Sequence, residues 1–288
     1  MPTVHDLNQI VGSIWRDESN RQQRLRRVAH FVGWQVWKRS IRTPITLRLP
    51  NGFRFVAYPD CGVSAGFIYR NIPDYRDISF LRRHLNGGVL VDVGANVGSV
   101  TLQLADRIDH AILFEPNPTA AARAQENLRL NGLSFEVHVA ALSDTCQALD
   151  VEDLGGVNTC NRTVVGFKSS QPTRKVLGLT FDQFLSERTS SSSRVDWIKI
   201  DVEGHENAVL RGMKKLLAVE RPRLVMFEYL ARTNLSETLG FFQTLNYCVF
   251  QLTSQGPSLV THTAPPLQNL FACPVECSSI FNLPERAA

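Results

Sequence analysis

Long apolar runs are scarce in this sequence, and none reaches the length a helix needs to cross a bilayer. The opening MPTVHDLNQIVG has no basic region followed by an apolar stretch and a cleavage site, so the expected compartment is the cytoplasm. Cysteine is sparse too. The six residues Cys61, Cys146, Cys160, Cys248, Cys273 and Cys277 are scattered, and the closest pair has three residues between its members. That spacing matches neither a zinc site nor the disulfide framework of a small secreted domain, so reduced, mostly buried thiols are expected. Charge of one sign is in short supply as well. The net charge is +4 over 288 residues, with no long basic stripe interleaved with aromatics, so no nucleic-acid partner is expected. What remains, 43% hydrophobic and 20% charged, is ordinary for a globular chain long enough to bury a core.

Against that background one stretch stands out, VLVDVGANVGSVTLQLA from Val89 to Ala105. Its first half is a continuous apolar run with a single acid, Asp92, which suits a strand buried on both faces of a parallel sheet. Its second half has helical spacing (Val97, Val100, Thr101, Leu104), so the turn between is tight, and Gly94 and Gly98 supply it. The free amides that open such a helix favour an anionic group at the turn. A dinucleotide fingerprint would read G-x-G-x-x-G, but Asn96 stands where its second glycine belongs. In ILFEPNP, Glu115 ends a second apolar strand 23 residues beyond Asp92, near the spacing expected for an acid that holds a ribose. Hydrogen bonds to such a charged group are worth about 1.5–3 kcal/mol.

Strand and helix then alternate: Ala111–Glu115 strand, Thr119–Asn131 helix, Phe135–Ala141 strand, and further on Phe181–Glu187 helix and Val195–Ile200 strand. This pattern predicts a parallel α/β sheet whose ligand cleft lies at the carboxyl ends of the strands, where Glu115, Asp144, Asp201 and Glu228 fall. Residues 1–84 read as an N-terminal cap before a domain at 85–288. In the cap, Asp17–Lys38 is a basic amphipathic helix, ITLRLPNGFRFVAY is a hairpin around Asn51-Gly52, and Asp74–His84 is a short helix. The basic helix suits either docking on its own protein or a dimer partner, or weak contact with a membrane surface, and a homo-oligomer is compatible with it. The polar stretch Gly155–Lys175 reads as a lid or small hairpin, and Thr189–Ser193 as a solvated linker.

The block WIKIDVEGHENAVLRGM places Asp201 at a strand end and a helix from Glu203 onward. Together with D-V-G-A-N-V-G and F-E-P-N, it resembles the FkbM family of S-adenosyl-L-methionine (SAM)-dependent methyltransferases over roughly Phe80 to Pro274. The resemblance implies a Rossmann-like, doubly wound, mostly parallel seven-stranded sheet of the class I methyltransferases, carrying the N-terminal helix and hairpin as a cap. It implies SAM as cofactor, with Asp92, Gly94, Asn96 and Gly98 at its methionine end, Glu115 and Asn117 near its ribose, Ser143 and Asp144 near its adenine, and Asp201 beside the cleft. It further implies a small-molecule or glycan hydroxyl as acceptor, on a sugar, glycoconjugate or polyketide-type product.

Removing the acceptor's proton calls for a base, and Asp201 and His205 are both open candidates. Glu203 and Glu206 suit a helix N-terminus. No metal is assigned, although Asp201 and Glu228 could grip a divalent ion in a metal-assisted variant. An NAD-dependent oxidoreductase lacks support beyond the glycine turn and the ribose acid, with no Tyr-x-x-x-Lys pair in sight. A SAM-binding module without catalysis is the remaining alternative.

Overall fold

The computed structural model describes residues 4–152, 163–164, 170–188, 194–230, 233–261 and 269–283. The N-terminal part comprises α1 (Val4–Arg16), α2 (Arg24–Ser40), β1 (Ile45–Arg48), β2 (Arg54–Ala57), α3 (Gly62–Tyr69) and α4 (Tyr75–His84). Next come β3 (Val89–Val93), α5 (Ser99–Leu104), β4 (His110–Phe114), α6 (Pro118–Arg129) and β5 (Phe135–His138). A smaller set follows: β6 (Ala141–Leu142), β7 (Ala148–Glu152), β8 (Thr163–Val164), β9 (Thr173–Leu179) and α7 (Phe181–Ser186). The rest is β10 (Val195–Ile200), α8 (Glu206–Gly212), α9 (Lys214–Val219), β11 (Leu224–Glu228), α10 (Leu235–Thr244), β12 (Tyr247–Thr253), β13 (Gly256–Leu259) and β14 (Asn269–Pro274).

The main sheet runs β5-β4-β3-β10-β11-β14-β12-β13. From β5 to β11 all pairs are parallel, whereas β14 is antiparallel to both β11 and β12. It is the doubly wound, Rossmann-like sheet the sequence predicts, with one strand more than the expected seven among the described residues. The extra strand is β13, which folds back antiparallel on β12 around the Gly256 turn. The chain leaves β3 toward β4 and β5, then returns to add β10 and β11 on the other side. That reversal opens a crevice at the carboxyl ends of β3 and β10, which is where ligands bind in sheets of this kind.

Local sequence explains most element boundaries. β3 is buried at all five positions, as a central parallel strand must be. α6 opens with Pro118 at its first position, while the Asn117 side chain accepts from the amides of Thr119 (2.9 Å) and Ala120 (3.3 Å). The expected helix at Asp17–Lys38 is instead a turn followed by α2, with α1 before it. The break is pinned by buried Asn20, whose side-chain amide donates to the carbonyls of Ile14 (3.0 Å) and Tyr69 (2.8 Å). Likewise the helix expected from Glu203 starts at Glu206. Glu203 and Gly204 take positive φ values of 56° and 101°, and the Glu206 carboxylate accepts from the amides of Val202 (3.2 Å) and Gly204 (3.0 Å).

The cap is not a separate body. Trp34, Phe55 and Phe67 share one hydrophobic cluster with Val97, Leu102, Leu113 and Ala124 of the sheet domain. The buried side-chain oxygen of Asn127 on α6 accepts from the amide of Val56 (2.8 Å), which ties the hairpin to that helix. Most of the Gly155–Lys175 stretch and the Thr189–Ser193 linker lie outside the described residues; within them, the start of β9 pairs antiparallel with β7.

Candidate active site

The crevice is shaped by a close approach between two backbone segments. Gly94, just past β3, has φ +71°, and a Cβ there would run into the carbonyl oxygen of Asp201, just past β10. Only glycine permits both the conformation and the approach. The turn is then held from several directions. The amides of Gly94 (2.9 Å) and Ala95 (3.2 Å) donate to the Phe114 carbonyl, and Asn127 donates to the Val97 carbonyl (2.9 Å). Asn96, at φ +50°, donates its amide to Glu115 Oε2 at 2.8 Å. Glu115 Oε1 accepts from the Asn117 amide at 2.8 Å. Burial pushes the Glu115 carboxyl above the ordinary glutamate range, against the pull of those two amides.

Lys199 lies beneath the turn. Its ammonium is buried, donates to the Gly94 carbonyl at 2.7 Å, and stands 3.1 Å from Asp92 Oδ1 and 3.7 Å from Asp201 Oδ2. Burial opposes its charge, but the Asp92 and Asp201 carboxylates outweigh that and hold its pKa above the ordinary lysine value. A cavity of about 460 Å³ opens above, within the usual range for a small-ligand site. Gly94, Asn96, Glu115, Asn117, Lys199 and Asp201 line it, with Phe114, Ala140 and Leu142 forming an apolar part of the wall. The cap closes it from outside through Gly62, Phe67, Arg70 and Asp74.

Carboxylates gather at one end. Asp201, Glu203 and Glu228 bring one oxygen each within 4.8 Å of one another, a geometry that could also hold a divalent cation. A second cavity, about 470 Å³, shares Asp74, Asp201 and Glu228 with the first and adds Asp17, Glu18 and Asp77. Desolvation raises the carboxyl pKa values of both Asp74 and Asp77 in this crowded acidic wall.

Several residues singled out in the sequence stand elsewhere. Asp92 is fully buried under the turn, bonded by Thr101 Oγ1 at 2.7 Å and paired with Lys199, so it supports the turn without lining the cavity. Gly98, at φ +74°, opens α5 and sits 3.4 Å from Ala124 by the position a Cβ would take. Desolvation works to raise the Asp144 carboxyl, but the hydrogen bond and charge of Arg211, 2.8 Å away, hold it below the ordinary range. Ser143 Oγ meets His205 Nε2 at 2.9 Å. None of Ser143, Asp144 and His205 lines the cavity; Ala140–Leu142 and Val151 do.

Lys199 and the cap residues Phe67, Arg70 and Asp74 line the cavity without being among the site residues expected from the sequence. A lysine among the buried Trp197, Ile198 and Ile200 of the VDWIKI strand is the available signal for the first. Nothing in the spacing announced the others, because they reach the cavity only through the packing of α3 and the turn before α4.

Comparison with known proteins bears directly on this site. The sequence pattern of the family described as Methyltransferase FkbM domain matches residues 92–252, more than half of the chain. The chain belongs to the FkbM methyltransferase family. It is therefore a SAM-dependent methyltransferase, and the NAD-dependent oxidoreductase reading falls away. The matched segment of this FkbM protein begins at the buried aspartate of β3 and runs to the end region of β12, so it contains the glycine turn, Glu115 and the DVEGHE block.

No match is found among the curated proteins. Similar solved structures include precorrin-6Y C5,15-methyltransferase from Geobacter metallireducens, at 14% identity and TM-score 0.41, covering 70% of this chain and 88% of that one. A SAM-dependent O-methyltransferase from Thermotoga maritima gives 16% identity and TM-score 0.39, covering 69% of this chain and 64% of that one. The tRNA (uracil-54, C5)-methyltransferase of Pyrococcus abyssi, in complex with S-adenosyl-L-homocysteine, gives 14% and 0.40, covering 80% of this chain and 43% of that one.

Proposed function

We propose that this FkbM protein is a cytoplasmic O-methyltransferase acting on a hydroxyl of a sugar, glycoconjugate or polyketide-type natural product. The observation that carries the reading is the corner where Asp201, Glu203 and Glu228 converge beside the glycine turn. Carboxylates accept hydrogen bonds from hydroxyls and one of them can take the proton, whereas a phosphate or carboxylate at the reacting end would be repelled.

The residues present fit SAM. Each Glu115 oxygen receives one backbone amide and keeps capacity for a ribose hydroxyl. The side-chain oxygen of Asn96 is buried in the cavity wall without a hydrogen-bond partner among the described residues, as an acceptor awaiting a ligand donor would be. Phe114, Ala140 and Leu142 offer an apolar wall for the adenine, a task we assign to them in place of Ser143 and Asp144. When bound, SAM supplies a methyl group on a sulfonium, open to in-line displacement.

The protein's own part is to align and deprotonate. Lys199 fixes the Gly94 carbonyl and so the turn on which the cofactor's amino-acid tail rests. Of the two bases left open by the sequence, Asp201 faces the cavity and His205 does not, so Asp201 takes the hydroxyl proton onto a carboxylate oxygen. Glu228 and Glu203 hold the acceptor by its neighbouring hydroxyls. Positioning of this kind supplies up to about 7–11 kcal/mol of the barrier reduction, and a placed base about 10²–10⁴-fold more.

The test is incubation of the full chain with methyl-labelled SAM, a panel of glycan and polyol acceptors, and cell extract, followed by mass spectrometry of the products. A methyl ether on a carbon-bound hydroxyl is expected. Transfer to nitrogen or carbon alone would contradict the acceptor assignment.

A further inference from the structure

α2 is apolar on two sides. Phe31 and Trp34 face inward and are buried, as packing of the cap demands. On the outward side Leu25, Val32 and Val36 stand 77%, 55% and 60% exposed, spaced by seven and four residues so that they form one stripe. Ala29 and Gly33, both exposed, keep the same face smooth between them. Such an outward stripe gains nothing in a chain standing alone in water.

The charge around the stripe is one-sided. From Ser19 to Pro59 the sequence holds nine arginines and lysines and no aspartate or glutamate, so the remainder of the chain is net acidic. Arg26 and Arg39 are exposed on α2, on the two flanks of the stripe by helical position. Between α2 and β1 lies a cavity of about 590 Å³ that Trp34, Trp37 and Leu47 line with apolar surface while Arg26 and Arg48 bring charge to it.

We propose that the outward face of α2 docks on an anionic lipid bilayer, with the stripe in the acyl boundary and the basic flanks among the headgroups. A second copy of this helix would set arginine against arginine with no acid in the segment to answer it. A nucleic acid would leave Leu25, Val32 and Val36 without a use. An anionic membrane surface satisfies both halves of the pattern. Each basic residue near such a surface raises partitioning by roughly fivefold at moderate salt, and salt weakens it.

Flotation of the full-length protein with vesicles settles the matter. Phosphatidylcholine vesicles containing phosphatidylglycerol should capture the protein, pure phosphatidylcholine should not, and added salt should reduce capture. Leu25→Asp/Val32→Asp/Val36→Asp and, separately, Arg26→Gln/Arg39→Gln should each lower capture tenfold or more while SAM binding, measured on the same samples, stays unchanged. Equal capture by both vesicle types, no capture by either, or unchanged capture of both variants would overturn the proposal. So would light scattering that shows a dimer dissociated by the aspartate variant in the absence of lipid capture.

Discussion

Lys199 and Asp92 are direct partners across the parallel pair β10 and β3, with 3.1 Å between ammonium and carboxylate and side-chain exposures of 5% and 0%. An ion pair this deep stands or falls as a unit, because removing one member strands the other charge away from water. Lys199→Met should therefore destabilise the protein by about 3–5 kcal/mol, read from the midpoint of urea unfolding. Asp92→Asn combined with Lys199→Met should recover a large part of that loss. Equal stability of the single and double variants would show that the two charges do not depend on each other.

The choice of base separates two carboxyl-edge residues that the sequence left level. Asp201→Asn should lower kcat by about 10²–10⁴ with SAM affinity largely kept. His205→Gln should leave kcat within a few-fold, since His205 is bonded to Ser143 outside the cavity. Single-turnover rates on purified variants decide this, and a large loss in His205→Gln with a normal Asp201→Asn would reverse the assignment.

His205 also shapes the acid limb of stability. Burial lowers its pKa from the ordinary 6.5, the Arg211 charge adds to that, and Asp144 opposes it. A base depressed in the folded state contributes stability that is present above the unfolded value and lost as pH falls through the folded one. The melting temperature should thus fall as pH drops below about 6.5, and His205→Gln should flatten that part of the profile. An unchanged pH profile in the variant would place the acid sensitivity elsewhere.

The glycine at the turn has a sharper requirement than glycines elsewhere. Gly94→Ala must relieve both a positive φ of 71° and a collision with the Asp201 backbone, so several kcal/mol of stability and SAM binding should be lost together. Gly52→Ala, at φ +90° with nothing among the described residues within 4 Å of an added Cβ, should cost only the conformational strain of about 1–2 kcal/mol. Parallel chemical unfolding of the two variants tests the difference.

The elements that were legible in the sequence are those whose chemistry is local. The apolar β3 run, the Gly94–Gly98 turn, Glu115 at a strand end and Asp201 at another are each written within a few residues, and the reversal of strand order brings them together. Asp92 misled for a physical reason: an acid in a buried strand can face a ligand or a partner lysine, and the partner lies 107 residues away in sequence. Asp74 and Phe67 were invisible because their place in the cavity depends on how the cap packs, through Trp34, Phe55 and Phe67, onto the sheet domain. A different packing, that of α8 against β6, turns Ser143 to His205 and Asp144 to Arg211, away from the crevice.

Calorimetric titration of SAM into the wild-type protein and Glu115→Ala tests the cofactor assignment most directly. Loss of a charged acceptor for ribose hydroxyls should weaken SAM roughly 10- to 100-fold, with no NAD binding by either protein. SAM affinity in Glu115→Ala equal to that of the wild type would contradict it.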